Sequence, residues 1–245
     1  ADFQQKLTPR TRLVMVSGVN YSTGLLAPLK EISEACRANG TLLYIDGTQS
    51  LGALTFDCQS IQPDMYAVDA YKWMLSPNGA GFAYIPEKTR QWLQPSTYGW
   101  RSDRRWREVD ALHHGAPELK SEAERYEGGM LPFACLYAMW ESARMMLALG
   151  PENIEERVMQ LADYARQHIR ALGGELLSDQ DANYTSQIVT SKWPGRDPAA
   201  IVAHLKSKNI VTTVRHGHLR VSPHFYNNEQ DLDKFASEVN CAWQL

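Results

Sequence analysis

Three side chains early in the 245-residue chain are of types that could do chemistry together. They are Asp46 and Gln49 in Tyr44-Ile-Asp-Gly-Thr-Gln-Ser50, and Lys72 in Asp69-Ala-Tyr-Lys-Trp73. An amine flanked by apolar and aromatic residues can have its pKa lowered by burial, which makes it a usable nucleophile toward an aldehyde. That is the requirement of a Schiff-base lysine. A carboxylate held opposite could keep a pyridinium nitrogen protonated and so let an aromatic ring store charge. Taken singly, an Asp at a strand end reads as a turn residue and a lone Lys as a surface residue. The chemistry lies in the joint arrangement.

Such an arrangement needs elements that deliver the residues to one place. Leu13-Val-Met-Val16 is an apolar run of strand length that stops at the Gly, Asn, Ser and Thr of residues 17–24. Pro28 suits the first turn of a helix, apolar residues recur at Leu29, Ile32, Ala35 and Cys36, and Asn39-Gly40 supplies a stop. Thr41 to Ile45 reads as a second strand ending at Asp46, and 64–69 and 81–85 as two more. Strand, helix and strand at this spacing predict an α/β fold with a largely parallel sheet and function at the strands' C-terminal ends, where Asp46, Gln49 and Lys72 fall.

Gln91 to Glu118 has no clear period and is rich in Trp, Arg, Pro and His, so it reads as a loop near a site or interface. Helical patterns run from Pro132 to Leu149 and, after Gly150-Pro151, to Leu172, where Gly173-Gly174 stops them. The remainder offers a strand at 187–190, a helix at 198–208, strands at 210–214 and 219–222, and a helix from Asn228. The expected division is a large domain over 1–150 and a small α+β domain over 151–245.

Composition narrows the function classes. With 25 Lys+Arg against 28 Asp+Glu, a net charge of −3 and no long basic run, the chain lacks the electrostatic footprint of a nucleic-acid or anionic-membrane binder. Its longest aliphatic stretch is far short of the ~20 residues that a membrane span requires. Cys36, Cys58, Cys135 and Cys241 are scattered without a C-x-x-C pair, so they read as thiols in a reducing compartment, the cytoplasm. His216-x-His218 has no evident third ligand, so no metal site is expected. The chain begins Ala-Asp-Phe without Met or a signal-peptide pattern, so residue 1 does not read as a natural start.

Asp46-Gly-Thr-Gln49, then Lys72, then Ser76-Pro-Asn-Gly-Ala-Gly81 resembles the core of the class V aminotransferases of PLP fold type I, a group that includes cysteine desulfurases and isopenicillin N epimerase-like proteins. Thr11-Arg-Leu-Val14, Ser22-Thr-Gly24, Arg125-Tyr-Glu-Gly128 and Leu219-Arg-Val-Ser-Pro-His-Phe-Tyr-Asn227 resemble further family blocks in family order, so the resemblance covers nearly the whole chain. It implies pyridoxal 5′-phosphate (PLP) as cofactor, Lys72 as the Schiff-base lysine, Asp46 as partner of the pyridine nitrogen and Gln49 as partner of the ring's phenolic oxygen. Tyr71 stands at the pre-lysine position that reaches the cofactor phosphate. Arg220 matches the arginine that clamps an amino acid's α-carboxylate, and Arg215 is a second candidate. A homodimer is also implied, with Trp100-Arg101 and Arg125 to Met130 facing the partner.

The departures are specific. Asp69 and Met130 stand where relatives carry a phosphate-binding Ser and Thr, and Tyr21 and Gly18 replace an Asn and a His of the cysteine desulfurases. Val214-Arg-His-Gly-His218 runs directly into Leu219-Arg220 and leaves no room for a desulfurase's cysteine-bearing loop, which argues against sulfur transfer from cysteine. Gln49 in place of a His moves the match from kynureninases toward the epimerase-like branch. Relatives also carry well over a hundred residues before the first strand seen here, so the chain is expected to lack an N-terminal part of the large domain. Two readings follow: a PLP enzyme acting on an amino acid as aminotransferase, epimerase or lyase, or a non-catalytic family remnant serving as a binding or assembly module.

Overall fold

A computed structural model describes residues 2–111, 115–177 and 182–242. Positions 112–114 of the expected 91–118 loop lie outside the described residues. In chain order the elements are α1 (Asp2–Lys6), β1 (Leu13–Ser17), α2 (Leu29–Ala38), β2 (Leu42–Asp46), α3 (Cys58–Ile61), β3 (Met65–Asp69), β4 (Gly81–Tyr84), α4 (Glu87–Arg90), α5 (Phe133–Leu149), α6 (Pro151–Ala171), β5 (Glu175–Leu176), β6 (Val189–Lys192), α7 (Pro198–Ser207), β7 (Thr213–Arg215), β8 (His218–Val221) and α8 (Glu229–Ala242). They form two compact units. The first holds Ala1–Val16, Lys30–Asp46 and Cys58–Ala143; the second holds Ser17–Leu29, Gly47–Asp57 and Arg144–Leu245.

The first unit is built on a sheet of order β1-β2-β3-β4. β2 and β3 run parallel, with Tyr44 opposite Met65 and Asp46 opposite Ala67. Along β2 the pleat buries Leu43 and Ile45 and leaves Tyr44 and Asp46 on a half-open face. β4 departs from the expected parallel order and runs antiparallel to β3, with Asp69 opposite Gly81. The reason is the connection: residues 70–80 hold no helix, and a parallel return needs a crossover of about a dozen residues or more. Gly81 has to be glycine, because a Cβ there would lie 2.6 Å from the Val68 carbonyl oxygen. α2 buries Ile32, Ala35 and Cys36 and ends as Asn39-Gly40 predicts. Gly40 takes φ +66°, and Thr41 N–H donates to the Cys36 carbonyl at 2.9 Å.

The second unit packs α6 and α7 against an antiparallel sheet of order β5-β6-β8-β7, with α8 packed on both helices. Its core includes Leu161, Ile169, Leu205, Leu219, Phe235 and Val239, all at most 2% exposed. β7 starts at Thr213 instead of Ile210, because the preceding residues close α7. Asn209 adopts φ +60°, Asn209 N–H donates to Lys206 at 3.1 Å, and Ile210 N–H donates to Leu205 at 2.9 Å. β7 and β8 are joined by His216-Gly217 alone, both with positive φ (48° and 76°), the conformation of a tight hairpin turn. Among the described residues no helix is long and apolar enough to cross a membrane.

Candidate active site

In the first unit, Asp46 is the last residue of β2 and shares its half-open face with Tyr44, whose phenol is pushed up first by burial and then by the Asp46 charge. Lys72 stands on the loop that leaves β3. Ala70 N–H donates to Ala80 at 3.1 Å, Leu75 N–H to Lys72 at 3.0 Å and Ser76 N–H to Ala70 at 3.1 Å, which closes residues 70–76 tightly. Leu75 is held in the left-handed region at φ 56°, and Ser142 Oγ donates to its carbonyl at 3.1 Å. A branched apolar residue occupies that region only where its surroundings impose it. Ala70, Trp73 and Met74 are buried and anchor the loop, while Lys72 is half-buried and Tyr71 exposed. The Lys72 ammonium lies 5.4 Å from the centre of the Tyr71 ring, a cation–π contact that orients the amine. Asp69, at the strand end, is exposed.

In the second unit, Gln49 sits in the turn that follows β2. Ser50 and Leu51 N–H both donate to the Gly47 carbonyl at 2.9 Å. Gln49 is only 7% exposed, yet its side-chain Oε1 is buried without a hydrogen-bond partner. Buried amides are normally satisfied, and an amide's O and N ends exchange by a flip, so this group is poised for a polar atom of a bound molecule. That fits the hydroxyl-partner role implied for Gln49. The Gln49 carbonyl accepts from Gln187 Nε2 at 2.6 Å; Gln187 is fully buried, and its own Oε1 also lacks a partner. Sequence reasoning gave Gln187 no role beyond starting a strand. The available signal was an amide inside the run Ser186-Gln-Ile-Val-Thr190, because a buried amide demands partners.

Arg220 lies on β8 opposite Thr213 on one side and Thr190 on the other, and Arg215 lies on β7 opposite His218. Arg220 Nε donates to Ser222 Oγ at 3.1 Å and Arg215 Nη1 to the Val214 carbonyl at 3.0 Å. Burial first, and then the Arg215 charge, lowers the Arg220 pKa. The 17–29 segment is tied to β6. Thr190 Oγ1 donates to Ser22 at 2.8 Å and Ser186 Oγ to Gly24 at 2.7 Å. Gly24, at φ +74°, is required there, because a Cβ would run into the Ile188 carbonyl. Of the residues expected to face a partner, Arg125 donates to the Arg90 carbonyl at 2.8 Å, and Arg101 lies 5.0 Å from the Trp106 ring. Both arginines are thus engaged within their own chain, while Met130 is 74% exposed.

The chain belongs to the class-V aminotransferase family, whose model, Aminotransferase class-V, matches residues 1–235. It is 29% identical over 246 residues to isopenicillin N epimerase of Streptomyces clavuligerus, covering 95% of this chain and 60% of that protein. It is 24% identical to the uncharacterized aminotransferase YcbU of Bacillus subtilis, over 97% of this chain and 61% of that protein. Among solved structures, an apo cysteine desulfurase of Thermococcus onnurineus NA1 superposes with a TM-score of 0.89 at 19% identity, covering all of this chain and 63% of that one. A C-DES mutant with glycine covalently linked to its PLP cofactor gives 0.86 at 22% identity over 96% of this chain and 62% of that one. The chain thus spans about 60% of the length of the curated relatives it matches. The resemblance carried by Asp46, Gln49 and Lys72 holds at the level of the family, and the fold is the α/β fold of these PLP fold type I structures.

Proposed function

We propose that the chain carries the cofactor- and substrate-binding residues of a PLP-dependent enzyme acting on an amino acid. The observation that carries this reading is Lys72 on a tightly closed, buried-flank loop just past β3, with the parallel neighbour β2 ending in Asp46. Asp46 would hold a proton at the ring nitrogen, Gln49 would hydrogen-bond the ring's phenolic oxygen, and Tyr71 would reach the phosphate. When bound, the cofactor supplies an electron sink that makes an amino acid's Cα proton removable. Lys72 Nζ then takes that proton and returns it to carbon, a step common to transamination, epimerisation and elimination. Arg220 orients the α-carboxylate, for which its planar fork is better suited than a lysine. Arg215 is the second substrate-binding residue.

The family division into a large domain over 1–150 and a small one over 151–245 belongs to the same reading. So does a homodimer. Phe133, Tyr137 and Trp140 form a helically spaced stripe on α5 with 47%, 69% and 59% of their surfaces exposed, an apolar face suited to a second copy. Light scattering should give a dimer that Trp140→Glu dissociates, and a wild-type monomer at micromolar concentration would remove the dimer. Four cysteines without a disulfide support a reducing compartment such as the cytoplasm. The enzyme reading is tested by reducing the protein with borohydride in the presence of PLP and mapping the adduct, with Lys72→Ala alongside. A single pyridoxyl group on Lys72, absent in the variant, is expected. Label spread over surface lysines, or equal in both proteins, would overturn the assignment.

A further inference from the structure

The β7–β8 hairpin of the second unit carries two guanidiniums on one face, with no carboxylate between them among the described residues. Arg215 stands opposite His218 and Thr213 opposite Arg220. Alternate residues of a strand share a face, so Arg215 and Arg220 are a diagonal cross-strand pair, a separation of roughly 7–8 Å that long side chains readily close. The turn between the strands is His216-Gly217 alone, so no insertion brings a neutralising carboxylate. Thr190, Thr213 and His218 neighbour the pair on that face, and none of them is acidic. No carboxylate pairs with either guanidinium among the described residues.

The surroundings add polar side chains that bear no carboxylate. Thr190 Oγ1 holds Ser22 beside the Arg220 position, and Tyr21, the preceding residue, reaches across to His216. Its hydroxyl lies 3.5 Å from His216 Nε2, with the rings 6.5 Å apart. Arg220 spends its Nε on Ser222 and Arg215 one Nη on its neighbouring carbonyl, so among the described residues the outer ends of both forks carry no bond. Two adjacent cations repel each other, and the pKa of Arg220 is lowered first by burial and then by the Arg215 charge.

We infer that this site takes amino acids bearing a second carboxylate, with Arg220 engaging the α-carboxylate and Arg215 the side-chain carboxylate beside Tyr21 and His216. The inference rests on the amino-acid reading of the site given above. A single α-carboxylate would satisfy one fork and leave the other cation uncompensated. A dicarboxylic substrate neutralises both.

The test is calorimetric titration of the PLP-loaded protein with glutamate and α-aminoadipate, each against its uncharged counterpart, norvaline and norleucine. The acidic member should bind at least about tenfold more tightly, as expected of a charge-assisted hydrogen bond, and the ratio should shrink with added salt. Arg215→Gln should bring that ratio close to one, with Arg215→Lys retaining part of it. Equal affinities in the wild type, on a protein whose Lys72 takes the pyridoxyl label, would overturn the inference and leave the cofactor reading standing. A second arm titrates cofactor-free protein with adipate against hexanoate. Preferential adipate binding by a protein whose Lys72 takes no label would support the arginine pair and overturn the enzyme reading instead.

Discussion

Gln187 provides the sharpest test of how the Gln49 turn is held. It is fully buried, donates from Nε2 to the Gln49 carbonyl at 2.6 Å and carries an unpartnered Oε1. In Gln187→Leu two terms oppose each other. Leaving the Gln49 carbonyl without its donor costs about 1–3 kcal/mol, while removing the desolvated Oε1 recovers a similar amount, so the net loss should be about 1 kcal/mol or less. Gln187→Glu behaves differently, because it sets a carboxylate against a carbonyl in a dry place. Burial raises such a carboxyl's pKa above its unfolded value of about 4.3, so the folded state binds the extra proton. Its contribution is therefore retained at low pH, where the protonated acid donates its O–H to the Gln49 carbonyl, and is lost as pH rises toward the folded value. A rise of two pKa units corresponds to about 2.7 kcal/mol between the fully protonated and fully ionised limits, of which about 1.7 kcal/mol falls between pH 5 and pH 8, a melting-temperature deficit of roughly 3–7 °C at the higher pH for a chain of this size. The assay is thermal unfolding of wild type and both variants at the two pH values. If Gln187→Glu showed no more pH dependence than wild type, the amide would be solvated, and its hold on the Gln49 turn would be refuted.

Leu75→Val places a β-branched side chain at φ 56° and should destabilise the protein by about 1–2 kcal/mol, read by urea unfolding. It should also weaken the pyridoxyl labelling of Lys72, since Leu75 closes the same loop. Arg157 grips Glu229 with both nitrogens, at 2.6 and 3.1 Å, and holds its carboxyl down at about 2. A depressed carboxyl contributes stability above its unfolded pKa and loses it as pH falls toward the folded value. Arg157→Gln should therefore flatten the loss of stability between about pH 4.5 and 2, and an unchanged acid limb would show that this exposed pair contributes nothing.

What the sequence made legible was mostly local. The apolar runs at Leu13 and Thr41 and the stops at Asn39-Gly40 and Gly173-Gly174 fell where the strands and helix ends lie, because run length and glycine's left-handed freedom act over a few residues. Asn209 was not read as a stop. The left-handed region is less favourable for asparagine than for glycine, and Ile210-Val211 beyond it looked like strand until the helix cap claimed Ile210. β6 likewise lies two residues beyond its expected span, since Gln187 and Ile188 belong to the contacts with the Gln49 turn and Gly24. In the candidate site, the family motifs pointed to Lys72, Asp46, Gln49, Tyr71, Arg215 and Arg220. The groups that hold their loops were not visible.

Those supporting groups share one property. Gln187 reaches Gln49 across 138 positions, Thr190 reaches Ser22 across 168, and Ser142 reaches Leu75 across 67. In each case a side chain donates to a backbone carbonyl of a turn. Periodicity cannot register such bonds, because they form only once the chain has closed loops far longer than a helix or hairpin. They fix the backbone from which a site residue projects, as at the Gln49 turn, where the side-chain Oε1 itself has no partner among the described residues. Removing one of these donors should therefore displace a turn and loosen binding while every residue named by the motifs stays in place. The sequence pattern of the family can thus be complete in a protein whose site is not assembled, and the long-range donors decide between the two.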